Sequence, residues 1–395
     1  MADMSRPLLN RRLAEFGTTI FAEMSALAVR TGSINLGQGF PDTDGPEEVR
    51  EAAVRALRDG RGNQYPPGPG VPELRAAVAA HQHRFYGHLG VAYDPDTEVL
   101  VTAGATEAIA ASLLALLEPG DEVIALEPYY DSYAACIAMA GGTRVPVTLR
   151  PSAEDGTYAL DLDELRDAVT DRTRLILLNT PHNPTGTVLD RAELTEIARL
   201  ACERDLLVIT DEVYEHLVYE GEHIPLASLP GMRERTVTIG SAGKTFSFTG
   251  WKVGWVTASP ELVGAVRSAK QFLTYVSAGP FQYAVAEALA LPDSYYTGLR
   301  DDLRAKRDLL ADGLAAAGFR VFRPSGTYFV TTDIRPLGEE DGFAFCRALP
   351  ERAGVVAIPN AVFYDHQDQG APYVRFAFCK QEKVLQEAVD RLRAL

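Results

Sequence analysis

Apolar and polar positions follow two different periods in the middle of the chain. Between about Val99 and Ser259, short apolar runs rich in β-branched residues predict strands, and stretches of helical length and period separate several of them. The seven strand candidates are EVLVTA, DEVIALE, TRVPVTL, RLILLNT, DLLVITD, RTVTIG and VGWVTAS. Strands that alternate with helices form a mostly parallel sheet with both faces covered. We therefore predict an α/β fold with a mostly parallel seven-stranded sheet sandwiched by helices.

The segment RAELTEIARLACERD shows the helical period most clearly. Its apolar residues between Leu194 and Ala201 fall on one face of a helix. Asp190 is a candidate N-cap, and Glu193, three residues later, completes a capping box. The segment therefore predicts a helix that begins just after Asp190.

The two ends of the chain have a different pattern. Loops rich in Gly and Pro, in NLGQGFPDTDGPEEV and GNQYPPGPGVPELR, lead into helices before the sheet begins. After about Pro292, a long charged helix precedes short strand-like runs, the last of them in YVRFAFCK, and a final helix. We predict a large domain over residues 46–291 and a smaller α+β domain over 292–395. The N-terminal arm 1–45 contributes part of the smaller domain, which is thus built from both chain ends.

The formal net charge of −16 over 395 residues limits the possible partners. The phosphates of nucleic acids and anionic membranes need a basic surface, so neither is expected as a partner. The longest apolar stretch, AIAASLLALL, is too short to span a bilayer, and the N-terminus lacks the apolar region of a signal peptide, so we expect a cytoplasmic protein. The four cysteines lie far apart without C-x-x-C spacing. They predict buried thiols and neither disulfides nor a metal site.

Parallel sheets bind their ligands on loops beyond the carboxyl ends of the strands. In VTAGATEA, Gly104 leads into a helix that begins near Ala105 and Thr106, and a helix N-terminus can bind phosphate. The alternative is that Gly104 forms only a tight turn. In LLNTPHNPTG, Asn183 precedes a proline, which is also common in simple turns.

Two further strand ends carry ionisable groups. VITDEVYEHL places Asp211 and Glu212 at the end of an apolar strand with Tyr214 close by, although such a carboxylate can also cap a helix. In SAGKTFSFTGWKVGW, Lys244 stands among small residues just after a strand, where a single lysine is ordinarily solvated.

Taken together, the polar groups at these strand ends indicate a specific kind of binding site. A phosphate-binding helix end, an asparagine, a carboxylate, a tyrosine and a lysine at one sheet edge are what pyridoxal phosphate requires. The lysine forms a Schiff base with the cofactor aldehyde, and the carboxylate keeps the pyridine nitrogen protonated. Small residues around Lys244 leave room for a flat cofactor. The pattern therefore predicts a pyridoxal-phosphate site.

The same motifs resemble a known family. NPTG, DEVY and SAGKTFSFTGWKVGW, in this order, resemble the fold type I pyridoxal-phosphate aminotransferases of class I and II, and the resemblance covers nearly the whole chain. INLGQGFPD, NQYPPGPG and ERTVTIGSAGKTFSFTGWKVGW are similar to the kynurenine and glutamine aminotransferase subgroup. EPYYDSY and PHNPTG are similar to the actinobacterial N-succinyldiaminopimelate aminotransferases.

The resemblance implies a role for each matching residue. Lys244 is the Schiff-base lysine, Asp211 the partner of the pyridine nitrogen, and Asn183 and Tyr214 the partners of the phenolic oxygen. Tyr130 stacks on the ring, unless it is simply a core tyrosine. The other implied contacts are with the cofactor phosphate (Ala105, Thr106, Ser241 and Lys252, the last where many relatives have arginine) and with the substrate (Phe21, Gly39, Asn183 and Arg375).

Two of the implied roles have serious alternatives. Arg375 matches the arginine that binds the substrate α-carboxylate, but an arginine within an apolar run could also form a structural salt bridge. Tyr65 matches a phosphate ligand supplied by the neighbouring subunit, which implies a homodimer with composite sites. In a loop rich in Pro and Gly it could instead be an ordinary surface residue.

The implied activity is transfer of an amino group between an L-amino acid and a 2-oxo acid, with glutamate and 2-oxoglutarate as one pair. The favoured substrate, by resemblance alone, is N-succinyl-LL-2,6-diaminopimelate. A kynurenine, glutamine or methionine aminotransferase and a cysteine-conjugate β-lyase are the alternatives, because they use the same residues. A non-enzymatic cofactor-binding regulator is disfavoured, since no basic or DNA-binding segment accompanies the core.

Overall fold

The computed structural model describes residues 8–17, 19–152 and 156–395. The first seven residues of the predicted N-terminal arm, and residue 18 within it, lie outside the described part. Within the described part, the helices are α1 (Ile20–Thr31), α2 (Glu47–Arg58), α3 (Pro72–Tyr86), α4 (Gly104–Leu116), α5 (Asp131–Ala140), α6 (Leu162–Asp167), α7 (Arg191–Glu203), α8 (Ala242–Thr245), α9 (Pro260–Lys270), α10 (Gly279–Leu289), α11 (Asp293–Ala316), α12 (Gly342–Ala353), α13 (Gln367–Gly370) and α14 (Glu382–Leu392).

In the described part of the chain, the strands form four sheets, with seven, four, two and two strands. In chain order they are β1 (Ile34–Asn35), β2 (Val99–Thr102), β3 (Glu122–Glu127), β4 (Thr143–Thr148), β5 (Arg150–Pro151), β6 (Tyr158–Ala159), β7 (Thr173–Asn179), β8 (Leu207–Asp211), β9 (Thr236–Ser241), β10 (Gly254–Thr257), β11 (Arg320–Phe322), β12 (Phe329–Asp333), β13 (Val355–Val356), β14 (Ile358–Pro359) and β15 (Tyr373–Ala377).

The largest sheet has seven strands in the order β2, β10, β9, β8, β7, β3, β4. All seven strand candidates of the sequence lie in it, and the predicted fold class is confirmed. Every pairing is parallel except those of β10, which runs antiparallel to both of its neighbours. Buried strands such as β7 are almost continuously apolar because helices cover both faces of the sheet.

Local signals in the sequence placed one helix correctly. The predicted helix after Asp190 is α7, and its capping box is present. Asp190 Oδ1 accepts a hydrogen bond of 2.8 Å from the backbone N–H of Glu193, and Glu193 Oε2 accepts one of 2.9 Å from the N–H of Asp190. The two bonds satisfy N–H groups that would otherwise lack partners at the helix start.

Two smaller sheets contain the strands at the ends of the chain, and one of them joins the N-terminal part to the C-terminal part. Strands β11, β12, β15 and β14 form an antiparallel four-stranded sheet in this order. The N-terminal strand β1 pairs in parallel with β13, so residues 34–35 lie against residues 355–356. The division of the chain at residues 45 and 291 stays a prediction. None of the described helices is both long and apolar enough to cross a bilayer.

The four cysteines are free thiols, but one prediction about them is wrong. Cys136, Cys346 and Cys379 are buried as expected, whereas Cys202 is exposed. Cys202 lies in the last turn of α7, off the face that packs on the sheet, so its side chain points to solvent.

Candidate active site

One cavity of about 290 Å³ lies at the carboxyl edge of the seven-stranded sheet. Loops after five of its strands line one side, and β12 and β15 of the smaller sheet line the other. It brings together every predicted site residue except Tyr65, namely Phe21, Gly39, Ala105, Thr106, Tyr130, Asn183, Asp211, Tyr214, Ser241, Lys244, Lys252 and Arg375.

Lys244 projects into this cavity from α8, which begins directly after β9. Its Nζ lies 5.6 Å from the ring centroid of Tyr214 and 5.5 Å from that of Tyr328. Burial lowers the pKa of Lys244 to about 8. A lysine with this pKa is partly neutral near neutral pH, as a nucleophile or a general base must be.

Asp211 ends β8 inside the protein, 5% exposed. Burial raises its pKa to about 6, although hydrogen bonds to the carboxylate oppose the shift. The Tyr133 hydroxyl donates to Asp211 Oδ2 at 2.7 Å, and the Val213 N–H donates to Oδ1 at 3.3 Å. The carboxylate is therefore mainly ionised at pH 7 and held in one orientation.

Arg375 lies on β15 and is 1% exposed. Its Nη1 donates to Asn183 Oδ1 at 2.7 Å, its Nη2 donates to the carbonyl of Gly37 at 3.1 Å, and its Nε has no partner. Burial lowers its pKa to about 10. The partners are an amide and a carbonyl rather than a carboxylate, so these contacts do not support a structural salt bridge. A buried cation with an unpartnered N–H is suited to bind an anion.

Aromatic rings surround the guanidinium group of Arg375. Its central carbon lies 4.0 Å from the ring centroid of Phe329 and 5.4 Å from that of Phe21. Gly39 lies against the Phe329 ring, because a Cβ there would be 2.4 Å from Phe329 Cζ. Its carbonyl accepts a hydrogen bond of 2.6 Å from the Tyr328 hydroxyl. Only glycine therefore fits at position 39 without displacing Phe329.

The opposite end of the cavity is electropositive. Helix α4 begins at Gly104, so Ala105 and Thr106 lie in its first turn, where free N–H groups favour an anion. Lys252 has a left-handed backbone with a φ of +54°, which non-glycine residues rarely adopt. Its Nζ lies 3.3 Å from the position that a Cβ of Gly104 would take. Because residue 104 is glycine, the ammonium group can approach the helix end.

The chain matches the family described as aminotransferase class I and II over residues 31–392. It belongs to the class I and II aminotransferases. The chain is therefore an enzyme that transfers amino groups, and the family predicted from the sequence motifs is confirmed.

Three relatives show how far the likeness of this aminotransferase extends. It is 54% identical to the Mycobacterium tuberculosis protein named "Probable N-succinyldiaminopimelate aminotransferase DapC", over 97% of this chain and 98% of the relative. It is 39% identical to the methionine aminotransferase of Escherichia coli, over 99% of this chain and 100% of the relative. It is 38% identical to the kynurenine–oxoglutarate transaminase of Dictyostelium discoideum, over 98% of this chain and 96% of the relative.

A solved structure agrees with the fold of this aminotransferase. The N-succinyldiaminopimelate aminotransferase of M. tuberculosis matches with a TM-score of 0.94 and 55% identity, over 98% of this chain and 99% of the solved chain. The predicted likeness to kynurenine and N-succinyldiaminopimelate aminotransferases is thereby confirmed.

Tyr65 is the predicted residue that lies apart from the cavity of its own chain. Its side chain is 81% exposed, and its ring lies 5.5 Å from that of Tyr275. It lines a shallow depression between residues 62–66 and 276–279. A role for Tyr65 in catalysis therefore requires a second chain, and it stays a prediction.

Two tyrosines at the site were not singled out from the sequence. Tyr133 donates to Asp211, and Tyr328 donates to Gly39 and faces Lys244. Tyr133 lies in the first turn of α5, three residues after the N-cap residue Tyr130, and the two ring centroids are 5.9 Å apart, so this spacing could have indicated it. Tyr328 precedes β12 in the smaller sheet, and no motif surrounds it.

Proposed function

We propose that this aminotransferase uses pyridoxal 5'-phosphate to move an amino group between an L-amino acid and a 2-oxo acid. One observation carries the proposal. A single cavity holds a half-buried lysine of lowered pKa, a buried carboxylate, a helix N-terminus beside a lysine, and a buried arginine with an unpartnered Nε. These are the groups that fit an aldehyde, a ring nitrogen, a phosphate and a substrate carboxylate. When bound, the cofactor supplies a ring that accepts electrons.

The residues at the electropositive end would hold the cofactor phosphate. Ala105 and Thr106 supply N–H groups at the start of α4, Ser241 a hydroxyl before α8, and Lys252 a positive charge. Lysine offers a point charge without the planar fork of arginine, so Lys252 adds charge complementarity rather than a fixed bidentate geometry.

Four other residues would orient the cofactor ring. Asp211 carries the negative charge that keeps the ring nitrogen protonated. Asn183 accepts from Arg375 through its oxygen, which leaves its amide nitrogen to donate to the phenolic oxygen. Tyr214 has a hydroxyl for the same oxygen, and Tyr130 supplies a flat face for stacking.

Arg375 and Lys244 would then act on the substrate. The α-carboxylate binds the guanidinium group of Arg375, with the Gly39 backbone and the Phe21 ring beside it. This fixes the Cα–H bond relative to Lys244. The neutral Nζ of Lys244 would remove the proton from the substrate Cα. The same Nζ would later give this proton up again, since its lowered pKa suits both transfers. Amino and oxo acids use the same carboxylate site in turn, so ping-pong kinetics are expected.

For the substrate, we propose N-succinyl-LL-2,6-diaminopimelate, with 2-oxoglutarate as the amino acceptor. Support comes from 54% identity to the M. tuberculosis relative, against 39% and 38% to the methionine and kynurenine enzymes.

We expect a panel of amino donors with 2-oxoglutarate to give N-succinyl-LL-2,6-diaminopimelate a kcat/KM at least about 10-fold above those of methionine, kynurenine and glutamine. Arg375→Lys is the matched control. It should lower kcat/KM for every donor by about 10- to 100-fold, because lysine cannot form the two parallel hydrogen bonds that arginine makes to a carboxylate. The ratios of kcat/KM between donors should stay unchanged, since all of them share this carboxylate. A better rate with methionine or kynurenine would contradict the substrate. Release of pyruvate and ammonia from cysteine conjugates without an oxo acid would indicate a β-lyase.

We also propose a homodimer in which Tyr65 completes the partner's site. Tyr65 lies beside a patch of exposed apolar side chains, with Phe272 84%, Leu273 46% and Tyr275 52% exposed. Such a patch is unusual on a monomer and suits burial against a second chain. The hydroxyl of Tyr65 would then meet the cofactor phosphate of the partner.

Mixing two impaired proteins tests this arrangement. Lys244→Ala and a strongly impaired Tyr65→Ala protein, allowed to exchange subunits, should regain activity, because one site of each hybrid dimer then has both native residues. The control pair is Lys244→Ala with Asp211→Ala. Both residues belong to the same chain's cavity, but each hybrid site would then contain one defect, so activity should not return. If exchange occurs and the Tyr65 pair also stays inactive, the composite site is wrong.

A further inference from the structure

A second cluster of polar side chains lies outside the cavity, between α3 and the loop that follows β8. It consists of His81, Glu215 and His216, whose side chains are 2%, 7% and 6% exposed. The two histidines are 135 residues apart in the sequence, so only folding brings them together. None of the three lines the cavity of the aminotransferase site.

The distances within this cluster match a metal site. His81 Nε2 and His216 Nε2 lie 2.8 Å apart, and Glu215 Oε1 lies 3.9 Å from the first and 3.8 Å from the second. These separations define a point about 2.1 Å from all three atoms, and about 2.1 Å is the length of a Zn–N or Zn–O bond. In a tetrahedral site with bonds of this length the ligand atoms lie about 3.4 Å apart, so the two ring nitrogens would separate by about 0.6 Å and the carboxylate would move closer by about 0.5 Å.

Neighbouring groups orient two of the three ligands. His81 Nδ1 lies 3.4 Å from the carbonyl of Leu289, so the ring proton belongs on Nδ1, and Nε2 presents a lone pair to the cluster. Gln82 Nε2 donates to Glu215 Oε2 at 3.2 Å, which leaves Oε1 directed to the histidines. Metal-binding histidines and carboxylates are commonly held in this way by a second hydrogen bond.

The charge of the cluster also favours a cation. His223, the nearest other histidine of this loop, is already paired with Glu212 at 2.9 Å. The Glu215 carboxylate is buried beside the two imidazoles, and a divalent ion would add a positive charge next to it.

We propose that His81, His216 and Glu215 bind one Zn²⁺ ion. Two imidazoles and a carboxylate suit Zn²⁺, whereas Mg²⁺ and Ca²⁺ prefer oxygen ligands. At 2.8 Å one ring nitrogen donates to the other, and because the His81 proton lies on Nδ1, the donor is Nε2 of His216. When the ion binds, this proton would leave Nε2 and His216 would take up a proton from solvent on Nδ1, so the ring would stay neutral.

The site would have a structural role. The ring centroids of Phe85 and Tyr296 lie 4.6 and 4.5 Å from that of His216, which encloses the site and leaves no room for a substrate. The ion would join α3 to the loop that follows Asp211, and so would hold the start of this loop in place.

The test uses the full-length holoenzyme purified without a polyhistidine tag. After incubation with Zn²⁺ and gel filtration, we expect one zinc per chain by elemental analysis. Co²⁺ loaded in its place should give the intense visible bands of a low-coordinate site, and Zn²⁺ should abolish them. A metal content well below one ion per chain would overturn the proposal, and so would the weak bands of six-coordinate Co²⁺ alone. Both measurements use the unchanged protein, so neither depends on whether a variant folds.

Variants locate the ion. Glu215→Gln and His81→Gln should lose the zinc, while His88→Gln, which changes an exposed histidine at the end of the same helical region, should keep it. Lys244→Ala should also keep it, because the proposed ion lies outside the cofactor cavity. Retention of zinc in Glu215→Gln, or its loss in Lys244→Ala, would place the metal elsewhere and would contradict this site.

Discussion

Lys244→Ala is expected to lower kcat for transamination by about 10⁴-fold or more. The change removes both the amine that would bond to the cofactor aldehyde and the base that moves the α-proton. Lys244 is half-buried in the wall of the cavity, and the loss of solvent around it lowers its pKa to about 8, which suits both tasks. Steady-state transamination with glutamate and 2-oxoglutarate measures the loss.

A covalent label tests the same residue independently of rate. Borohydride reduction of the holoenzyme should leave the cofactor attached to Lys244, as located by mass spectrometry of the peptides. Lys383→Ala, which changes an exposed lysine in α14, is the control and should keep both the rate and the label. A label on another lysine, or a nearly unchanged rate in Lys244→Ala, would remove Lys244 from the mechanism.

Asp211→Ala is expected to lower kcat by about 10²- to 10³-fold while leaving the fold intact. The carboxylate is the buried negative charge at the end of β8, and without it the ring nitrogen has no partner that keeps it protonated. Circular dichroism and cofactor absorbance check that the variant is folded and loaded. A loaded Asp211→Ala protein with near-normal turnover would refute this role.

Tyr133→Phe provides a graded comparison, because it keeps the carboxylate and removes one donor to it. The Tyr133 hydroxyl stabilises the ionised form of Asp211, so its removal should raise the pKa of Asp211 further above about 6. Asp211 would then be protonated at higher pH, and activity should fall at mildly acidic pH but recover as the pH rises. An unchanged pH profile would show that the 2.7 Å bond has no influence on the carboxylate.

Features that depend on residues close together in the sequence could be predicted without the structure. The seven sheet strands were recognised because a buried parallel strand is a continuous apolar run, and α7 because its capping box lies within four residues. Lys244, Asp211 and Asn183 stood out because each follows a strand and because parallel strands end at one edge. Periodicity and the chemistry of strand ends were therefore enough for the fold class and for the core of the candidate site.

Contacts between distant segments were decided by the tertiary structure alone. The hydrogen bond from Tyr133 to Asp211, the one from Arg375 to Asn183 and the contact of Gly39 with Phe329 each join elements far apart in the chain. The exposure of Cys202 depends on which side of α7 packs on the sheet, and the cluster of His81 with His216 spans 135 residues. Such contacts depend on how whole elements pack, and a pattern of neighbouring residues carries no information about the distance between two side chains that meet only after folding.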